Sequence, residues 1–428
     1  MVHFFVDCGP RLNAKIKYTL QLFAQSQQLE IRFVDNRREN SFAMTADVDS
    51  ALPVATGFYL ALDQQEFSYK KIMNHDGWIT THRGEIDYLA TAFYLVNSLQ
   101  EYARPESEFD EVGRFRYSHS YQCHFQIPLE NRVQRCFDKI RQRLFPFLRP
   151  TPKRSRIFLT HDIDTVHGAW VQDGFHCLKR GNFLGMLRLM WNACIAKPDW
   201  LNMDQIMKLE SAHDVKSTFF WLVNQGKTEG GQKNADYHIN ARSIRLQQQL
   251  VARQGFDNGL HKSISPDSFS TELKKLSLPA VANRNHYLKL RLPAHYDEME
   301  ASGLRLDTSL GFAEQHGFRN SYGLPFSPFN LRTDRPYTFV EAPLHLMDGT
   351  FQKYQRWNPA QTANAIGDFV ERYKNNCVLT VLWHNTFFTY HKFDGYLQAY
   401  RLLLQQIKEL GITSITPAEI IHQYAIDK

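Results

Sequence analysis

No two of the six cysteines stand in a CxxC pair; Cys8, Cys123, Cys136, Cys177, Cys194 and Cys377 are spread along the chain. That spacing excludes a zinc knuckle and a disulfide framework and leaves reduced, mostly buried thiols. Uninterrupted apolar runs are short, and none reaches the ~18 to 20 residues that span a bilayer. The amino terminus, MVHFFVDCGPRLNAKIKYTL, lacks a basic region followed by a sustained apolar stretch, so it reads as a poor signal peptide and the expectation is a cytoplasmic protein. Dense basic runs are missing too. The formal charge is +6 with lysine and arginine scattered, which argues against a nucleic-acid partner and leaves a weak preference for anionic ones. There are no internal repeats and no low-complexity tract.

What is present is an ordinary globular composition, 43% hydrophobic and 22% charged over 428 residues, long enough for two domains each with its own core. In the first part, LEIRFVD and TGFYLALD read as short strands. In GEIDYLATAFYLVNSLQEYARP, Ile86, Leu89, Ala90, Phe93 and Val96 recur at three- and four-residue steps, the signature of one helix face. A second helix is expected around ENRVQRCFDKIRQRLF. The stretch PFLRPTPKRSR, with three prolines among basic residues, is too stiff and polar for a core element and places a boundary near residue 150. The expected organisation is a smaller α/β or α+β domain over 1–150, of unknown role, and a second domain over 151–428.

From Arg156 the rhythm changes to short apolar runs alternating with amphipathic helices: RIFLT, KSTFFWLV, DNGLH, a segment around NRNHYLKL, LRLDTSL, YTFVEAPL, CVLTVLWH and ITSI. Such alternation predicts a parallel sheet, open or closed into a barrel, with its chemistry at the carboxyl ends of the strands. Leu397, Tyr400, Leu403, Leu404 and Ile407 form a helix stripe stopped by Gly411, and Thr416, Pro417 and Glu419 read as a capping box. The connection containing KRGNFLGMLRLMWNACIAKPDW is amphipathic, with Lys179, Arg180 and Lys197 at its flanks. It reads either as a helix packed on its own barrel or as one lying on a membrane surface, so peripheral membrane contact stays open.

The strand ends carry the residues of interest. FLTHDID sets Asp162 and Asp164 two apart, so both point the same way if the strand continues. Their mutual repulsion is resolved by a divalent metal on one carboxylate, leaving the other free to take a proton from water. His261 ends DNGLH, Arg284 and His286 fall in NRNHY, and His384 ends VLTVLWH. Acid, histidine, arginine with histidine, and histidine at four successive strand ends suit a metal-dependent hydrolase.

This order of motifs resembles the polysaccharide deacetylase family, the NodB-homology group of carbohydrate esterases, over residues 156 to 428. It is also similar to a subgroup in which an amino-terminal domain precedes that barrel. The resemblance implies an α/β fold, a distorted (β/α)7-type barrel, and a divalent metal, zinc above all. It implies Asp162 as general base, Asp164 and His261 as metal ligands, Arg284 as the group orienting the base, and His384 as general acid. One position departs from the family: where a second ligand histidine should follow His261 by four residues, this chain has Ser265. His286 is the expected replacement, with His161 the alternative. His161, Asp307, Glu314, Arg319 and Asp348 are candidates for binding sugar hydroxyls. The implied activity is removal of an N- or O-acetyl group from a sugar, glycan or glycan precursor. A degenerate relative that binds glycan or partners without turnover is the competing reading, and a non-sugar amide would use the same machinery.

Overall fold

The structure, a computed structural model, describes residues 1–38, 40–46, 49–149 and 151–426; Pro150, on which the expected boundary falls, lies outside them. Near the amino terminus, β1 (Val2–Asp7), β2 (Ile31–Val34) and β3 (Ser41–Thr45) form a parallel sheet in the order β2-β1-β3. The helix Pro10–Gln27 makes the crossover from β1 to β2, with proline in its first turn, where the missing N–H costs nothing. TGFYLALD is a helix, Thr56–Asp63, and not a strand. Its buried residues Phe58, Tyr59 and Leu62 share one helical face, and so short an apolar run carries no period long enough to show this. The helix Tyr88–Val96 is buried from Leu89 onward and is capped by Asp87, which accepts from the N–H of Ala90.

The larger sheet begins with β4 (Arg156–Ile163) and continues through β5 (Ser217–Leu222), β6 (Asp257–Lys262), β7 (Ala282–Asn285) and β8 (Leu306–Asp307). A small antiparallel ribbon follows, β9 (Phe329–Asn330) with β10 (Arg335–Pro336), and then β11 (Val340–Glu341), β12 (Leu346–Met347), β13 (Val378–Leu382) and β14 (Thr413–Ser414). The sheet runs β11-β8-β7-β6-β5-β4-β13-β12, parallel throughout, with β14 sharing one edge of β4 with β5. It is a curled α/β half-barrel, open between β11 and β12 among the described residues. Seven of the eight residues of β4 and all six of β5 are buried, as expected of parallel strands covered on both faces. The expected helix stripe is buried on Tyr396–Glu409, and the Thr416 capping box is present.

A single apolar core runs from Phe4 to Ile420 through both sheets. Tyr18 donates to the carbonyl of Ser327 at 2.8 Å, the rings of Phe93 and Phe329 meet edge to face at 5.3 Å, and Asn97 accepts from the N–H of Phe329 at 2.8 Å. Most buried of these links is a two-pronged ion pair: Arg319 donates from Nε and Nη2 to Glu101 at 2.9 and 2.6 Å, with side chains 1% and 2% exposed. The third branch of the guanidinium reaches the carbonyl of Gly311 at 2.9 Å. Taking away the charge of one partner strands the other in a dry interior, which costs about 3 kcal/mol or more. Glu101→Gln is therefore expected to lower the free energy of unfolding, read by chemical denaturation, by that amount; an unchanged unfolding free energy would show that the pair contributes nothing.

Candidate metal centre and active site

Every side chain of the site projects from the carboxyl end of a strand of the curled sheet. Asp162 is on β4 and Asp164 is the first residue beyond it. Alternation sends both toward the hollow and His161, the residue before Asp162, to the opposite face. There His161 is fully buried. Its Nδ1 donates to the carbonyl of Trp383 at 2.7 Å and its Nε2 meets Glu210 at 2.9 Å, while Glu210 also receives Ser217 and Tyr400. Both ring nitrogens are engaged by protein, away from the carboxylates.

His261, on β6, decides the chemistry of the hollow. Register pairs it with Arg284 of β7, and its Nδ1 lies 2.8 Å from the Arg284 carbonyl oxygen. A carbonyl can only accept, so Nδ1 carries the hydrogen and the neutral ring presents a lone pair at Nε2. That lone pair faces two more acceptors, Asp164 Oδ1 at 3.1 Å and Asp162 Oδ2 at 3.5 Å. His261 is 1% exposed, and its Nε2, Asp162 Oδ1, Asp164 Oδ1 and His286 Nδ1 are buried without a hydrogen-bond partner. Buried acceptors facing one another require a positive charge among them, a proton or a cation.

The donor set fits a cation. Asp164, His261 and His286 each offer one ligand atom, and the three lie within 4.8 Å of one another. Two imidazoles and a carboxylate suit a zinc-like ion, and a ligand histidine whose other nitrogen donates to a backbone carbonyl is the usual arrangement. His286 follows β7 directly; its Nε2 stands 3.6 Å from Asp164 Oδ2, and the ring of Tyr287 stacks on it at 4.0 Å. Ser265 lies outside this cluster, held by Asn224 at 2.7 Å and Ser263 at 3.0 Å. A cavity of about 180 Å³ borders His286 and includes Ser265, Lys289 and Arg291 in its wall.

Arg284 and His384 flank the cluster. The Arg284 guanidinium is fully buried, with Nε 3.9 Å from Asp162 Oδ1 and Nη2 donating to Thr308 at 3.0 Å. It lies over the ring of Phe220 at 5.3 Å. That ring in turn needs Gly259, because a Cβ there would come within 2.5 Å of it. His384, just past β13, presents Nε2 3.7 Å from Asp164 Oδ2 and is the more open side chain, 20% exposed. Its Nδ1 and its backbone N–H both go to Asp348, at 2.7 and 2.6 Å.

Electrostatics follow from these contacts. Burial opposes ionisation of Asp164, yet His286 and His261 hold its carboxyl well below the usual carboxylate range. Burial works against charge on His261 as well, and Asp162 and Asp164 overcome it and raise the imidazole above its ordinary value. For His286 burial prevails and the pKa falls. At His384 burial is outweighed by Asp348, with help from Asp164 and Asp162, and the imidazole is held up at about 10.

The candidates for sugar contact have protein partners. Asp307 is buried against His295 at 2.6 Å, Arg319 against Glu101, His161 against Glu210, and Asp348 against His384. Only Glu314 is partly exposed. Asp348 thus belongs to the site through His384, a link that 36 residues of separation conceal. It becomes visible from the β12/β13 register, which sets Met347 opposite Leu382 and carries Asp348 to His384.

No family model matches the chain, and a search of curated proteins finds no match. Among solved structures similar to it is one described as a polysaccharide deacetylase from Mycobacterium smegmatis, at 12% identity over 66% of this chain and 96% of that one, with a TM-score of 0.43. A peptidoglycan deacetylase from Bacillus subtilis is similar at 12% identity over 63% and 91%, TM-score 0.31. A CE4-family pseudoenzyme from Bacillus anthracis is similar at 13% identity over 65% and 69%, TM-score 0.29.

If the three-residue cluster is the metal centre, His261→Ala and His286→Ala each weaken zinc binding by about 100-fold or more while leaving the fold intact. Titration calorimetry with Zn²⁺ and a circular dichroism spectrum read both. Full zinc affinity in His286→Ala would remove that residue from the centre.

Proposed function

We propose that this protein is a metal-dependent deacetylase that removes an N- or O-acetyl group from a sugar, glycan or glycan precursor. The observation that carries the reading is His261 Nε2 facing two carboxylates, with His286 and His384 in reach of the same hollow. The motif resemblance over residues 156 to 428 supplies the substrate class. Asp164, His261 and His286 would hold the cation, for which zinc suits the donors best; when bound, it supplies Lewis acidity toward water and toward an acyl oxygen.

The chain's own groups divide the proton work. Asp162 is the general base and receives a proton from the attacking water. Arg284, whose Nε is 3.9 Å from it, faces it with a fixed positive charge and limits its rotation. His384 is the general acid. Asp348 occupies its Nδ1, so the proton to be given sits on Nε2 and faces the hollow, where it passes to the departing amine or alcohol. The high pKa keeps that proton in place at neutral pH. The competing reading, a glycan-binding protein without turnover, rests on Ser265 at the usual ligand position, and the same experiment separates the two.

Zinc-loaded protein is offered a panel of N-acetylated and O-acetylated sugars, and acetate release is followed. Turnover is expected, with Asp162→Asn reducing kcat by about 100-fold or more at unchanged zinc affinity. Absence of acetate from every substrate, with zinc bound, would favour the non-catalytic reading. Asp348→Asn is expected to act on the pH profile. Loss of the carboxylate lowers the His384 pKa, so the alkaline limb, where the acid loses its proton, moves to lower pH by about one unit or more. An alkaline limb that stays in place would show that His384 is not the acid or that Asp348 does not tune it.

A further inference from the structure

The helices Ala169–Lys179 and Phe183–Cys194 pack side by side as a hairpin that turns at Gly181, where φ is 69°. Ten of the 18 exposed large apolar side chains among the described residues lie between positions 170 and 195, so the hairpin concentrates what the rest of the surface avoids. Trp170, Phe175, Phe183, Leu184, Trp191 and Ile195 are each between 46% and 81% exposed. Of the twelve residues Phe183–Cys194, only Leu189 is buried.

The exposed charges carried by the hairpin itself have one sign. Between Ala169 and Pro198 the sole acid is Asp173, which is buried and accepts from the indole N–H of Trp200 at 3.0 Å. The exposed bases are Lys179, Arg180 and Arg188, with Lys197 half-buried. Arg180 and Lys197 pair with Asp394 and Asp204, whereas Arg188 has no ion-pair partner among the described residues. Among the described residues no helix is long and apolar enough to cross a membrane, and at ~1.5 Å per residue these two are roughly half a bilayer core in length.

We propose that this hairpin lies on an anionic phospholipid surface, its aromatic and aliphatic side chains in the boundary between head groups and acyl chains and Arg188 and Lys179 among the phosphates. Both halves of that occupant are matched: the apolar face by the acyl layer, and Lys179 and Arg188, which make no ion pair among the described residues, by negative head groups. The docking has a bearing on the site. The hairpin starts five residues after Asp164 and is tied to the loop that follows His384. Cys177 Sγ meets His391 at 3.3 Å, Lys392 donates to Gln172 at 2.6 Å, and Arg180 pairs with Asp394 at 3.2 Å. A hairpin held on a bilayer therefore sets the mouth of the hollow beside it, whatever reaction the hollow performs.

The test uses the full chain and unilamellar vesicles of phosphatidylcholine mixed with phosphatidylglycerol, with vesicles of phosphatidylcholine alone in parallel. Wild-type protein is expected to sediment with the anionic vesicles, more weakly with the neutral ones, and less as salt rises. Leu184→Ser combined with Trp191→Ser, and separately Arg188→Glu, are each expected to weaken the association about tenfold or more. Brominated phosphatidylcholine added to the vesicles reads the wild-type chain directly. Trp170 and Trp191 are the most exposed tryptophans among the described residues, so contact quenching is expected from them. Failure of the wild type to bind anionic vesicles, equal binding to both lipids, or unchanged binding of the double serine variant overturns the proposal. So does a wild-type dimer that the double variant converts to monomers without any vesicle binding, which would assign the face to a second copy.

Discussion

Three acceptors, two carboxylates and an imidazole lone pair, are held in one nearly dry hollow, and that arrangement cannot persist without positive charge among them and a frame that resists their separation. The frame is the parallel ladder from β4 to β7. The pairing that sets His261 beside Arg284 in the sheet also gives the His261 Nδ1 its carbonyl partner, so the direction of the lone pair is fixed by the strand register and not by a flexible side-chain contact. Breaking that orientation would mean breaking the sheet.

Burial grades across the site, and the proposed base Asp162 is among its least accessible groups. His261 and Arg284, whose task is to hold, are nearly or fully inaccessible, while Asp164 and His384 are partly open. His384 keeps both its ring orientation and its charge through Asp348, itself fully buried, so an accessible group is governed by an inaccessible one. The replacement of a histidine by Ser265 fits the same geometry. His286 reaches the cluster from the adjacent strand end, and the Ser265 hydroxyl is absorbed into a polar network around Asn224 and Glu272.

Much of this was legible because polar residues that directly follow apolar runs stand out. Asp162, Asp164, His261, Arg284, His286 and His384 all occupy such positions, and period-two alternation tells which of them share a face. Likewise the strand-helix rhythm from Arg156 onward announces a parallel sheet. What escaped has a common cause, pairing between distant segments. Asp348 meets His384 through the β12/β13 register, His161 meets Glu210 from a helix 49 residues away, and Arg319 meets Glu101 across 218 residues. A sequence shows that such groups are charged but not that a partner awaits them. TGFYLALD failed for a different reason, since a run as short as Phe58–Leu62 fits either period until its neighbours are known.

The interlocking of the first 149 residues with those near Phe329 has a consequence for how the molecule is made. Tyr18, Phe93, Asn97 and Glu101 find their partners in the stretch 319–329, which leaves the ribosome long after they do. The earlier segments must therefore wait, their apolar faces uncovered and the Glu101 carboxylate unmatched, until the stretch 319–329 has been translated, an interval in which chaperone capture competes with self-association.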